Sequence, residues 1–137
     1  MLGGMSYGTE SAGAVHAMSQ TAGGVYDLPH GELTAALLAP VMEFNYLGEP
    51  QKYARIAQAL GENTWGMKVF DAAQLAAGAV ARLTVTLGIP TLPEMGIPEK
   101  DIPMLAQLAF DDPQTIGNPR DIDVTGYEKI YRSCFGK

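Results

Sequence analysis

Apolar residues recur every three or four positions through residues 64–87, as Val69, Phe70, Ala73, Ala76, Ala77, Val80, Leu83 and Leu87. That period is one face of an α-helix and not the alternation of a strand. Gly88 and Pro90 form a C-terminal stop. A helix of this length must bury its apolar face against partners, and the same pattern supplies them. Leu33, Leu37, Pro40, Val41 and Phe44 predict a helix over about 31–46 with a proline inside it. Pro50, at a first-turn position, opens a helix over about 50–60, with Tyr53, Ile56, Ala57 and Leu60 as its stripe.

The remaining segments follow the same logic. Residues 9–22 are small and apolar, and predict a helix running to about Thr21, ended by Gly23–Gly24. A helix over about 99–110 carries Pro103 early, and residues 111–121 are dense in turn formers. The last helix is expected over about 124–135. Thr125 and Glu128 have capping-box spacing, and Tyr127, Ile130, Tyr131 and Cys134 face inward. No segment shows a convincing strand pattern. The expected fold class is all-α, a helical bundle with residues 1–137 as one domain. The composition, 47% hydrophobic and 18% charged over 137 residues, can build its core.

Charge and cysteine usage narrow the function. The net charge of −6 speaks against a surface for nucleic-acid backbones. No apolar run approaches the roughly 20 residues of a membrane span. The first basic residue is Lys52, so the start lacks the basic region of a secretory signal. Cys134 is the single cysteine, which excludes an intramolecular disulfide and a cysteine zinc cluster. A cytoplasmic setting is expected. Residues 1–51 hold Glu10, Asp27, Glu32, Glu43 and Glu49 with no Lys or Arg. That stretch reads either as a solvated acidic face or as a region whose field favours a cation.

Both histidines of the chain, His16 and His30, lie in this region. On one unbroken helix they would stand about 21 Å apart, too far for one ion with metal–nitrogen bonds of about 2 Å. Gly23–Gly24 and Pro29 break the chain between them. A helix, a loop of about eight residues and a second helix would bring both imidazoles into one cleft. Gln20, one turn beyond His16, would point the same way. The spacing leaves two readings open: half of a shared metal site, or two unrelated surface or core histidines. Two ligands fall short of the three or more that zinc or iron takes from a protein.

The stretch GAVHAMSQTAGGVYDLPHGELTAALLAPVMEFN, residues 13–45, resembles the iron-containing (group III) alcohol dehydrogenases. Their helical domains carry the pattern G-x-x-H-x-x-x-H-x-x-G-x-x-x-x-x-P-H-G. It reads here as Gly13, His16, Gln20, Gly23, Pro29, His30 and Gly31. Asn118–Pro119–Arg120, the closing IYRSCF, KYARIAQALG and LTVTLGIP are also similar to the family, in the same order. The resemblance implies the C-terminal, dehydroquinate synthase-like helical domain of an NAD(P)-dependent alcohol or aldehyde oxidoreductase. It implies His16 and His30 as two of four ligands to a divalent metal, iron or in some members zinc.

The pattern is incomplete here. The family's earlier D-x-x-x-H motif does not occur, nor does a strand–GGG–helix nucleotide site, and the motif's second histidine is Gln20. Tyr7, Gln20 and Gln114 match pocket positions in relatives. The resemblance therefore implies a chain that carries half of a metal site and is inactive alone. NAD(P) would bind only with a missing N-terminal domain or partner chain, and the substrate would be a small alcohol or aldehyde. The alternative is an orphan, non-catalytic helical oligomerisation domain. Either way, uncovered apolar surface predicts a homo-oligomer with Leu2, Met5, Val15 and Met18 in its interface. The residues themselves predict a packed Trp65, a solvated Gln114, an Arg120 that caps carbonyls, and a Cys134 that is no nucleophile.

Overall fold

The computed structural model describes residues 12–135. Six α-helices follow one another among them: α1 (Ala14–Tyr26), α2 (His30–Asn45), α3 (Pro50–Ala59), α4 (Val69–Thr86), α5 (Ile102–Asp111) and α6 (Val124–Ser133). Short 3-10 turns at Glu99–Asp101 and Pro113–Gly117 lead into and out of α5. No strand occurs among the described residues. The all-α expectation holds.

α2 is the axis of the arrangement. One side packs with α1 and α6, against which α5 is laid, and the other meets α4, which carries α3 with it. The first core contains Met18, Leu33, Leu37, Leu105, Tyr127 and Tyr131, all inaccessible to solvent. Its polar atoms are paired. The Tyr131 hydroxyl donates to the Met18 carbonyl at 3.0 Å. Thr115 Oγ1 lies 2.6 Å from the Tyr127 hydroxyl and donates to the Ala109 carbonyl at 2.7 Å. A threonine hydroxyl has one proton, so Tyr127 is the donor to Thr115. Burial raises the Tyr131 phenol well above its ordinary range.

Three local expectations are corrected. α1 does not end at Gly23–Gly24 but runs through both to Tyr26. Gly23 leaves room for a neighbour instead: a Cβ there would lie 3.3 Å from the Leu28 carbonyl oxygen and 3.4 Å from Leu33 Cδ1. The stop is Asp27, which takes the left-handed conformation (φ 53°) and donates its N–H to the Gly23 carbonyl. α4 begins at Val69, five residues later than the pattern suggests, after a turn containing Gly66 at φ 75°. α6 is capped by Asp123, whose Oδ1 accepts from the Gly126 N–H at 2.7 Å. Thr125 is therefore inside the helix, and Glu128 pairs with Arg132 at 3.4 Å.

Two packing expectations also change. Val15 and Met18 belong to the chain's own core, with Met18 0% exposed, so neither is available to an oligomer interface. Trp65 does not pack: it is 94% exposed. Leu2 and Met5 lie outside the described residues. Cys134, expected on the buried face of the last helix, stands at its C-cap instead. It is half-buried, its thiol donates to the Ile130 carbonyl at 3.3 Å, and burial pushes it up to about 11, leaving little thiolate at neutral pH.

Candidate metal centre

His16 stands in the first turn of α1 and His30 is the first residue of α2. The turn Asp27–Pro29 is three residues long, shorter than the loop expected. It reverses the chain because Asp27 is left-handed and Pro29 is extended (φ −60°, ψ 120°). The two rings come together with centroids 5.2 Å apart and planes inclined by 59°. Two imidazoles on one tetrahedral ion, at metal–nitrogen bonds of about 2 Å, have centroids roughly 5 Å apart. The observed separation equals that expected spacing.

The surroundings of His16 favour the neutral imidazole, the form that binds metals. His16 titrates below the ordinary histidine value, first because it is partly buried and second because His30 is close.

A hydroxyl pair underlies the histidines that the motif did not single out. Thr34 Oγ1 donates to the His30 carbonyl at 2.8 Å, lies 3.4 Å from His30 Nε2, and is 3.2 Å from the Ser19 hydroxyl. Ser19 is fully buried and donates to the His16 carbonyl at 3.3 Å. Helical spacing could have found both, because Ser19 is three residues past His16 and Thr34 four past His30.

The pocket positions divide. Gln20 is exposed one turn beyond His16. Gln114 is half-buried and engaged, not solvated: its Oε1 accepts from the Ala12 N–H at 2.6 Å. Tyr7 lies outside the described residues. No group of three or more His, Cys, Asp or Glu that could hold an ion exists among the described residues. The acidic residues of this stretch are solvated, with Asp27, Glu32 and Glu43 exposed. Arg120 does cap a carbonyl, donating to Phe44 O at 2.9 Å while its guanidinium lies 4.1 Å from the Phe44 ring centroid.

Comparison with known proteins identifies the family of the chain. Residues 1–135 match the model of the Fe-containing alcohol dehydrogenase family, C-terminal. The chain is 48% identical over 135 residues to choline dehydrogenase of Bacillus subtilis (strain 168), covering 98% of this chain and 34% of that protein. It is 41% identical over 136 residues to 1,3-propanediol dehydrogenase of Citrobacter freundii, covering 98% and 35%. Among solved structures, an alcohol dehydrogenase from Oenococcus oeni superposes with a TM-score of 0.93 at 36% identity, over 98% of this chain and 35% of that one. The chain thus spans about a third of the length of these relatives. No helix among the described residues is long and apolar enough to cross a membrane. In sequence and in fold, this chain belongs to the Fe-containing alcohol dehydrogenase family and corresponds to its C-terminal, all-helical portion.

Proposed function

We propose that this chain is the metal-holding half of an NAD(P)-dependent alcohol or aldehyde oxidoreductase, with His16 and His30 as two ligands of its divalent ion. The observation that carries this reading is the imidazole pair, with centroids 5.2 Å apart, on two helices joined by a three-residue turn. A divalent ion held there, iron or zinc, supplies Lewis acidity toward an alcohol or carbonyl oxygen, while hydride belongs to a nicotinamide bound by other polypeptide. Residues 1–137 act as one helical domain. The Thr34–Ser19 pair steadies the histidine-bearing turns. Gln20 offers a neutral hydrogen-bonding group that cannot relay a proton near neutral pH. Tyr7, Gln20 and Gln114 are the pocket candidates of this reading. The remaining ligands and the nucleotide site come from an N-terminal domain or partner chain, in the cytoplasm, and the substrate is a small alcohol or aldehyde. The names of the relatives, choline and 1,3-propanediol dehydrogenases, support that substrate class.

The test is an assay of the chain with iron(II) or zinc, NAD(P)(H) and a short alcohol or aldehyde, read at the nicotinamide absorbance band. The chain alone is expected to be silent. Activity should appear only with a second polypeptide that carries a nucleotide domain and a D-x-x-x-H helix. Turnover by the chain alone would contradict the division of labour. A second reading, a non-catalytic oligomerisation domain, draws on the exposed Trp65, Phe70, Val85 and Leu87 around α4. It predicts self-association without any metal dependence.

A further inference from the structure

The N-terminus of α1 has no capping side chain of its own. Its N-cap is Gly13, at φ 79°. The first N–H groups of a helix have no intrahelical partner, and here a distant turn satisfies them. Gln114 grips twice: its Oε1 accepts from the Ala12 N–H at 2.6 Å and its carbonyl from the Gly13 N–H at 3.1 Å. Asn118 Oδ1 accepts from the Ala14 N–H at 3.2 Å. The same Asn118 amide is locked from the other side. It exchanges reciprocal 2.8 Å hydrogen bonds with the buried amide of Asn45, the last residue of α2, and donates to the Arg120 carbonyl at 2.6 Å.

This contact leaves no slack. A Cβ on Gly13 would stand 3.3 Å from Asn118 Oδ1, in a backbone conformation that side chains rarely adopt. A Cβ on Gly48, just past α2, would stand 2.6 Å from the Pro119 carbonyl oxygen. One amide therefore ties the start of the helix bearing His16 to the end of the helix bearing His30. His16 is only two residues beyond the capped Ala14, so fraying of that turn would carry its ring away from His30.

We infer that Asn118, acting through Ala14 and Asn45, is a positioning residue that sets His16 against His30 for metal capture. The inference rests on the reading of the two histidines as ligands. Groups that orient metal ligands typically change affinity by about 10–100-fold when removed. Asn118 acts on the helix and not on the ring itself, so the low end of that range is expected.

The experiment measures zinc affinity of the whole chain by competition with a chromophoric chelator, beside the far-UV spectrum and melting temperature. Asn118→Ala should weaken zinc binding about tenfold while the helical spectrum stays. Asn45→Ala removes the α2 half of the clasp and leaves Asn118 Oδ1 on the Ala14 N–H. It should weaken zinc binding in the same direction, and it carries the test if Asn118→Ala does not fold. Val80→Ala, in the α3–α4 core, lowers stability far from the clasp and should leave zinc affinity unchanged. The inference is overturned if Asn118→Ala or Asn45→Ala binds zinc as the parent does, or if Val80→Ala loses as much affinity as Asn118→Ala. Absence of zinc binding by the parent chain would instead remove the histidine reading itself, and this inference with it.

Discussion

The two halves of this molecule are built from the same helical period and pack in different ways. Around α1, α2, α5 and α6 the core is made of large side chains, Tyr127, Tyr131, Met18 and several leucines, with each buried hydroxyl given a partner. Between α3, α4 and α2 the core is small: Ala57, Ala76, Ala77, Val80 and Met42. There the large apolar residues point outward, with Val85 80% and Leu87 65% exposed. Small residues let α3 and α4 approach closely but remove little area from water, and burial scales with area. The histidine pair and its clasp both belong to the first half. A site that must hold two rings at a fixed separation gains from a rigid base.

The contrast can be broken by mutation. Tyr131→Ala empties a fully buried position and leaves the Met18 carbonyl without its donor. It should cost about 3–5 kcal/mol in urea unfolding. Val80→Ala in the second core should cost roughly 2 kcal/mol or less. Equal costs would erase the distinction between the halves. A smaller effect separates the two candidate caps of α6. Asp123→Ala should lose about 1 kcal/mol, and Thr125→Ala, an exposed helical position, should stay within about 0.5 kcal/mol. Reversal of that order would return the cap to Thr125.

The smallest perturbation uses no mutation. Trp65 is the single tryptophan and stands free of the surface. Its fluorescence should be quenched by acrylamide nearly as readily as that of a free indole. Protection that disappears on dilution would mean that a second copy covers the α3–α4 face.

The contrast also explains what could be read from the sequence. Helix existence and order were legible because the 3.6-residue period is strong, and α2, α3 and α5 fall within a few residues of their expected bounds. Which face of α4 is buried was not legible. Leu83 and Leu87 share the stripe of Ala76 and Val80, yet the partner helix α3 is only ten residues long and leaves them uncovered. Gly23–Gly24 misled because a glycine can serve close packing as well as termination, and only the position of Leu33 decides which. At the site, the motif pointed to His16 and His30, and the structure brings their rings together. The role of Gln114 depends on a contact across 102 positions, which no local pattern reveals. Asp123 was overlooked because Thr125 and Glu128 happen to fit the capping-box spacing.

Zinc titration of the chain and of its His16→Ala and His30→Ala variants addresses the central claim most directly. The parent should bind zinc more tightly as pH rises, because both rings must be neutral. Since His16 titrates below the ordinary value, its ring stays available to a lower pH than a solvated histidine would. Either substitution should abolish that binding. Variants that bind zinc with the affinity of the parent would show that the two imidazoles share no ion, and the metal-centre account would fall.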